Sequence, residues 1–283
     1  MAQYSAVIGA GTMGLGIAYV LAAAGDTAIL VEPDAGRGAE AIGTLTGVAQ
    51  SAVKRGKLEE TAAKELIERI SVVDAVEALP TEGANLVVEA VPERIELKKA
   101  LLPAIEKHCA PAILASNTSG LSIDELATVL ERPERFVGLH FFNPVWVMSL
   151  LEIVKGAQTD PAVLEAARAL AIRIGKDPIV VKNMPGFATS RLGVAIGLEG
   201  MRMLEEGVAS AADIDKAMEL GYRHPMGPLR LTDLVGLDVR LDIARNLSKD
   251  LGPRFNPPQI LIDKVAAGEL GKKSGKGFYD WTE

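Results

Sequence analysis

Of the three histidines in this 283-residue chain, His140 alone stands where an imidazole could do chemistry. It lies in the run Gly-Leu-His-Phe-Phe-Asn-Pro at 138–144, near the end of an apolar strand. The carboxyl ends of strands are where open α/β sheets bind ligands. His108 closes a helical stretch and His224 precedes a proline in a loop. A histidine in an apolar strand is usually a hydrogen-bonded core residue, but Asn143 and Glu152 shift the balance here. Glu152 sits among Leu150, Leu151, Ile153 and Val154, and a carboxylate buried there is costly without a partner. A short chain reversal would bring it to one imidazole nitrogen. Oxidising an alcohol requires loss of the hydroxyl proton as hydride leaves the same carbon, and imidazole is the side chain best suited to that transfer.

The loop Ser-Asn-Thr-Ser at 116–119 follows another strand at the same edge. Its polar groups, those of Asn117 and Ser119 among them, suit a substrate oxygen becoming a carbonyl. The same loop also reads as a turn leading into a helix capped by Ser122 with Glu125.

Gly9, Gly11 and Gly14 form Gly-x-Gly-x-x-Gly directly after the first strand and at the opening of the first helix. The glycines permit a tight turn, close approach of a pyrophosphate and close helix–strand packing. Gly9, Gly11, Thr12, Met13 and Gly14 are the candidate phosphate cradle, with helix N–H groups aimed at the anion. Glu32 ends the second strand, where a carboxylate accepts from the ribose diol and repels a 2′-phosphate, so NAD is expected over NADP. The triplet alone is weak evidence, and methyltransferases that bind S-adenosylmethionine share the pattern of glycine loop and acidic strand end.

The elements that must hold these residues are of two kinds. To about residue 183, strand patterns at 5–8, 27–31, 86–89, 113–116, 136–142, 150–154 and 179–181 alternate with helical ones at 13–24, 35–69, 96–108, 123–129 and 161–174. Beyond it only helical patterns follow, at 190–206, 211–220, 229–251 and 259–267. The expected fold class is therefore α/β, a Rossmann-type doubly wound sheet over 1–183 with a C-terminal all-helical domain over 184–283. Gly193, Gly197 and Gly200 lie inside one helix, which points to a close helix contact, between subunits or within one, or to a locally weak helix.

A net charge of −7 argues against general nucleic-acid or anionic-membrane binding. The single cysteine, Cys109, excludes an intrachain disulfide and suggests a reducing, cytoplasmic setting. No signal peptide or membrane span is expected, and no metal site.

Together these residues resemble the short-chain L-3-hydroxyacyl-CoA dehydrogenase family, which includes 3-hydroxybutyryl-CoA dehydrogenases. The likeness runs through the glycine loop, the Val-Glu-Ala-Val-Pro-Glu turn at 88–93, 116–119, 140–144 with Glu152, Pro-Gly-Phe at 185–187, Asp-Ile-Asp at 213–215, His-Pro-Met-Gly-Pro at 224–228, Asp233 to Asp238, and Lys-Gly-Phe-Tyr at 276–279. The resemblance implies His140 as general base and Glu152 as its partner, with Ser119 and Asn143 at the substrate oxygen or the nicotinamide region and Asn117 and Asn143 on the cofactor side. It implies NAD contacts at Glu93, Lys98 and Lys273, CoA contacts at Lys54, Arg55 and Lys57, an acyl-CoA substrate from fatty-acid metabolism, and a homodimer. Three departures stand out: Ser190 where the family has a substrate-contacting Asn, Trp146 and Ser149 where it often has Pro and Lys, and Glu32 for the more usual Asp. Related readings are a polyol or sugar-acid dehydrogenase of the lambda-crystallin branch, and a non-catalytic NAD-binding protein.

Overall fold

The computed structural model describes residues 3–282 and divides into two compact units between Met184 and Pro185. In the first, strands β1 (Tyr4–Ile8), β2 (Ala28–Val31), β3 (Ile70–Val73), β4 (Ala84–Glu89), β5 (Ile113–Ser116), β6 (Phe136–Phe141), β7 (Leu150–Lys155) and β8 (Asp177–Lys182) form one sheet. Their order is β3-β2-β1-β4-β5-β6-β7-β8. The pairs from β3 to β6 are parallel, β7 is antiparallel to β6, and β8 is parallel to β7. The six parallel strands thus have the 3-2-1-4-5-6 order of a dinucleotide-binding sheet.

Parallel strands covered on both faces read as continuous apolar runs; β1 and β2 are buried at every residue. The covering helices are α1 (Thr12–Ala23), α2 (Ala35–Lys54), α3 (Glu60–Glu68), α4 (Ile95–Cys109), α5 (Ile123–Ala127) and α6 (Pro161–Arg173). Ile17 and Leu21 of α1, Leu45 of α2 and Leu66 of α3 share a core with Val7, Leu30 and Val88.

Two expectations are corrected here. The single helix expected over 35–69 is a pair, α2 and α3, broken at a turn where Gly56 has φ 67°. The strand β3 was not expected, because Ile-Ser-Val-Val is a short edge strand with only Ile70 buried.

The second unit is helical: α7 (Thr189–Glu205), α8 (Ala211–Gly221), α9 (Pro228–Val235), α10 (Leu237–Leu251) and α11 (Gln259–Ala266). The helix expected over 229–251 is divided into α9 and α10 at Gly236. Val194, Leu198, Met201, Ile214, Leu229 and Leu241 belong to its core. Two buried aspartates organise it. Asp215 on α8 accepts from the N–H groups of Leu229 and Arg230, both at 2.8 Å, and so caps the start of α9. Asp233 accepts from Phe278 N, Tyr279 N and Trp281 Nε1, each at 2.9 Å. The 213–215 and 276–279 motifs therefore serve the architecture. Gly193, Gly197 and Gly200 face Arg240, Thr232 and Pro228 of α9 and α10, so the close approach lies within the chain. Among the described residues no helix is long and apolar enough to cross a membrane.

The glycine loop is the most constrained turn of the first unit. A Cβ on Gly14 would stand 1.8 Å from the Gly9 carbonyl oxygen, whereas one on Gly11 would meet nothing within 4 Å. Gly14→Ala should therefore destabilise the chain by about 1–3 kcal/mol through overpacking, and Gly11→Ala by less than about 1 kcal/mol. Urea unfolding of both variants checks this; equal losses would contradict the packing argument.

Candidate active site

The β6–β7 pair is a direct antiparallel reversal, and its register sets His140 opposite Glu152. Residues facing each other across such a ladder project from the same face of the sheet. His140 Nδ1 lies 2.7 Å from Glu152 Oε2, with Glu152 wholly buried and His140 7% exposed. A carboxylate only accepts, so Nδ1 carries the hydrogen and Nε2 keeps the lone pair that can take a proton. The Phe142 ring packs beside the imidazole, centroids 4.4 Å apart.

A row of paired residues crosses the sheet here: Ile8 with Glu89, Glu89 with Ser116, and Ser116 with Gly138. His140 stands two residues past that row, about 6–7 Å toward the carboxyl edge, the edge from which the glycine turn leaves β1. The strand ends are tied to one another. Asn117 Oδ1 accepts from Phe141 N at 3.0 Å, and Asn117 N donates to the Glu89 carbonyl at 2.8 Å. Asn117 thereby links the end of β5 to the His140 strand.

Glu89 is the buried hub that sequence reasoning missed. It accepts from Ser116 Oγ at 2.6 Å, Val91 N at 2.8 Å and Lys98 Nζ at 2.7 and 2.9 Å. The available signal was an acid ending an apolar strand. Lys98, expected to touch the cofactor, has no exposed side-chain surface; its ammonium is taken up by Glu89 and, at 3.2 Å, by Glu93. Lys98 therefore holds the two acids together at the end of β4. Glu93 in turn accepts from Thr118 Oγ1 at 2.5 Å, Ser119 N at 2.8 Å and Ser119 Oγ at 3.2 Å. Burial pushes the Glu93 carboxyl upward, but the Lys98 ammonium and the Thr118 and Ser119 hydrogen bonds outweigh it and hold it below the usual carboxylate range. A lowered carboxyl contributes stability that is present above its unfolded value and is lost as pH falls through the folded one, so the 116–119 loop stays fastened at neutral pH.

Beside β1 and β2 a cleft of about 730 Å³ is lined by Gly9, Gly11, Thr12, Met13, Glu32 and Arg37, among others. Helix α1 starts from Gly11, which has no side chain to cap it. Its first N–H groups are thus left for an anion, and the open space at Gly11 admits one. Glu32 Oε2 accepts from Ala10 N at 3.0 Å, while Oε1 accepts from Asp34 N at 3.0 Å and Arg37 Nη2 at 2.9 Å. Burial raises the Glu32 carboxyl, yet these hydrogen bonds, that of Arg37 foremost, bring it below the usual range. A carboxylate has about four lone-pair sites, so it can still accept from a ribose diol. The residues present fit a dinucleotide.

The remaining candidates sit on other elements. Lys54 ends α2, and Arg55 and Lys57 follow in an exposed turn. Asn143 is exposed at the β6–β7 turn, where Trp146 tilts against Tyr19 of α1 with centroids 5.8 Å apart. Ser190 lies in the first turn of α7, and Lys273 pairs with Asp238 at 2.5 Å, both in the helical unit.

Residues 5–184 match the model of the 3-hydroxyacyl-CoA dehydrogenase NAD binding domain, and residues 186–281 that of the 3-hydroxyacyl-CoA dehydrogenase C-terminal domain. A probable 3-hydroxybutyryl-CoA dehydrogenase of Bacillus subtilis is 40% identical over 98% of this chain and 96% of its own length. A 3-hydroxyadipyl-CoA dehydrogenase of Escherichia coli is 41% identical over 99% of this chain and 59% of its own. Among solved structures, the (S)-3-hydroxybutyryl-CoA dehydrogenase PaaH1 from Ralstonia eutropha superposes with TM-score 0.94 at 36% identity, covering 100% of both chains.

Removing one partner of a buried ion pair leaves the other charge uncompensated. Lys98→Met should cost about 3–5 kcal/mol, and adding Glu89→Gln should recover part of that loss. Denaturant unfolding of the single and double variants measures it, and a single variant as stable as the wild type would refute the buried-hub reading.

Proposed function

The chain belongs to the 3-hydroxyacyl-CoA dehydrogenase family, and from that premise we propose that it oxidises (3S)-3-hydroxyacyl-CoA reversibly to 3-oxoacyl-CoA with NAD. The observation that carries the proposal is the buried His140–Glu152 pair at 2.7 Å. His140 Nε2 takes the proton of the C3 hydroxyl, and Glu152 stabilises the imidazolium that results and keeps the ring in the one tautomer that can act. NAD, when bound, supplies the acceptor for the hydride leaving C3. In the reverse direction the imidazolium returns its proton to the carbonyl oxygen.

The other roles are those that the family likeness implies. Ser119 and Asn143 hold the substrate oxygen. Gly9, Gly11, Thr12, Met13 and Gly14 hold the pyrophosphate, Glu32 the adenosine ribose, and Asn117 and Glu93 the shape of the loop beside the nicotinamide end, with Lys273 as a further contact. Lys54, Arg55 and Lys57 offer three cations on an exposed turn to the phosphates of CoA. Ser190 takes the place of a substrate-contacting amide with a shorter hydroxyl. Relatives named for 3-hydroxybutyryl-CoA and 3-hydroxyadipyl-CoA are about equally similar, at 40% and 41%. Both names denote short acyl chains, so a short-chain substrate such as 3-hydroxybutyryl-CoA, within fatty-acid metabolism in the cytoplasm, is the reading adopted.

NADH consumption with acetoacetyl-CoA tests the activity. His140→Gln should lower kcat by about 100- to 10,000-fold while leaving the Kd for NADH within about twofold. Equal losses in both would contradict the assigned role.

A homodimer through the helical unit is part of the same proposal. Leu192 and Ile196 of α7 and Leu231 and Leu234 of α9 are 62%, 37%, 40% and 40% exposed, and an apolar surface of that kind marks an interaction face. Light scattering should give about twice the 29.9-kDa chain mass, and Leu192→Glu should shift it to the monomer. A monomeric wild type would sink the idea.

A further inference from the structure

The connection between β6 and β7 runs from Phe142 to Ser149, and its two ends carry the strands of His140 and Glu152. Asn143, Pro144, Val147, Met148 and Ser149 are all exposed. A turn so open to water keeps a fixed shape only if something fastens it.

On one side it is fastened to α1. Val145 is 1% exposed, and a Cβ on Gly16 would lie 2.7 Å from its side chain, so Val145 fills the space that Gly16 leaves. Trp146 rests beside it on Tyr19. On the other side stands a cation. Lys176, between α6 and β8, is 8% exposed. Its ammonium donates to the carbonyl oxygen of Met148 at 2.7 Å and to that of Val145. The next residue adds a backbone bond, Asp177 N to the Ser149 carbonyl at 2.7 Å.

Among the described residues no carboxylate pairs with Lys176, and burial pushes its ammonium below the ordinary lysine value. A buried cation is costly, and here only carbonyl dipoles offset the cost. Such an arrangement does little for stability in return. What it does specify is geometry: two carbonyls three residues apart are drawn to one point, and the turn between them is fixed in shape.

We propose that Lys176 is a positioning residue, whose ammonium gathers the Val145 and Met148 carbonyls and so sets where Asn143 stands relative to His140. It touches neither substrate nor cofactor. It acts through the backbone of the turn, and it rests on the dehydrogenase reading of the same site. A misplacement of about 1 Å at a reacting centre costs about 100-fold in rate, so loss of the clamp is read in turnover before it is read in cofactor affinity.

The test uses the full chain with Lys176→Met, which keeps an unbranched apolar stem and removes all three donors. At saturating acetoacetyl-CoA, kcat should fall by about 10- to 100-fold, with the Kd for NADH within about twofold and the circular dichroism unchanged. Lys176→Arg, which keeps the charge and the donors, should restore part of the rate. A second readout needs no substrate. With three histidines in the chain, the imidazole Cε1–H signals are resolvable by NMR, and that of His140 should move in Lys176→Met while those of His108 and His224 stay. Should the wild type turn over no acyl-CoA, the dehydrogenase reading fails, and the NMR signal alone decides the clamp. A folded Lys176→Met with kcat within twofold of wild type, or with the His140 signal unmoved, overturns the proposal. If the methionine variant does not fold, Lys176→Gln is judged by the same two criteria.

Discussion

The site depends on one cross-strand contact. His140 and Glu152 are directly opposed in an antiparallel ladder, and their side chains meet at 2.7 Å in surroundings that exclude water. Neither residue is comfortable there alone. A carboxylate among leucine and isoleucine side chains needs a donor, and an imidazole needs an acceptor to fix which nitrogen holds the hydrogen. The sheet satisfies both at once by turning back on itself after six parallel strands. That single reversal of direction is what sets the imidazole and the carboxylate face to face.

The neighbouring strand ends are arranged by the same economy of buried charge. Glu89, Lys98 and Glu93 form a chain of ion pairs that begins in the core and ends at the exposed Ser119. Because Asn117 bonds both the Glu89 backbone and that of Phe141, the 116–119 loop is fixed to β4 on one side and to the His140 strand on the other. The glycine loop joins the same edge through Glu32, which accepts from Ala10 N. His140 and Ser119 are thus each backed by a carboxylate, Glu152 and Glu93.

Much of this was legible in the sequence, for identifiable reasons. The glycine spacing after an apolar strand and the acid at the end of the next one mark the cleft. The cost of burying Glu152 was itself the argument for its pairing with His140. What could not be read are features whose local signal points elsewhere. Lys98 lies on an amphipathic helix, where a lysine reads as solvated, and only the three-dimensional register shows that it faces Glu89. The helical periodicity continues across Gly56 and Gly236, so the α2–α3 and α9–α10 breaks appear only where those glycines adopt positive φ, 67° and 107°. Strand β3 pairs only with β2; it is four residues long, interrupted by Ser71, and buries only Ile70, so its signal is short. Lys176 had no signal at all, since its partners are backbone carbonyls.

The central claim is that Glu152 fixes the His140 ring with hydrogen on Nδ1 and a lone pair on Nε2. Nitrogen-15 NMR of the imidazoles, recorded where the rings are neutral, reads that tautomer directly. The account predicts the Nδ1–H form for His140 in the wild type and a mixture of forms in Glu152→Ala. A wild-type ring protonated at Nε2, or one indifferent to the loss of Glu152, would contradict it.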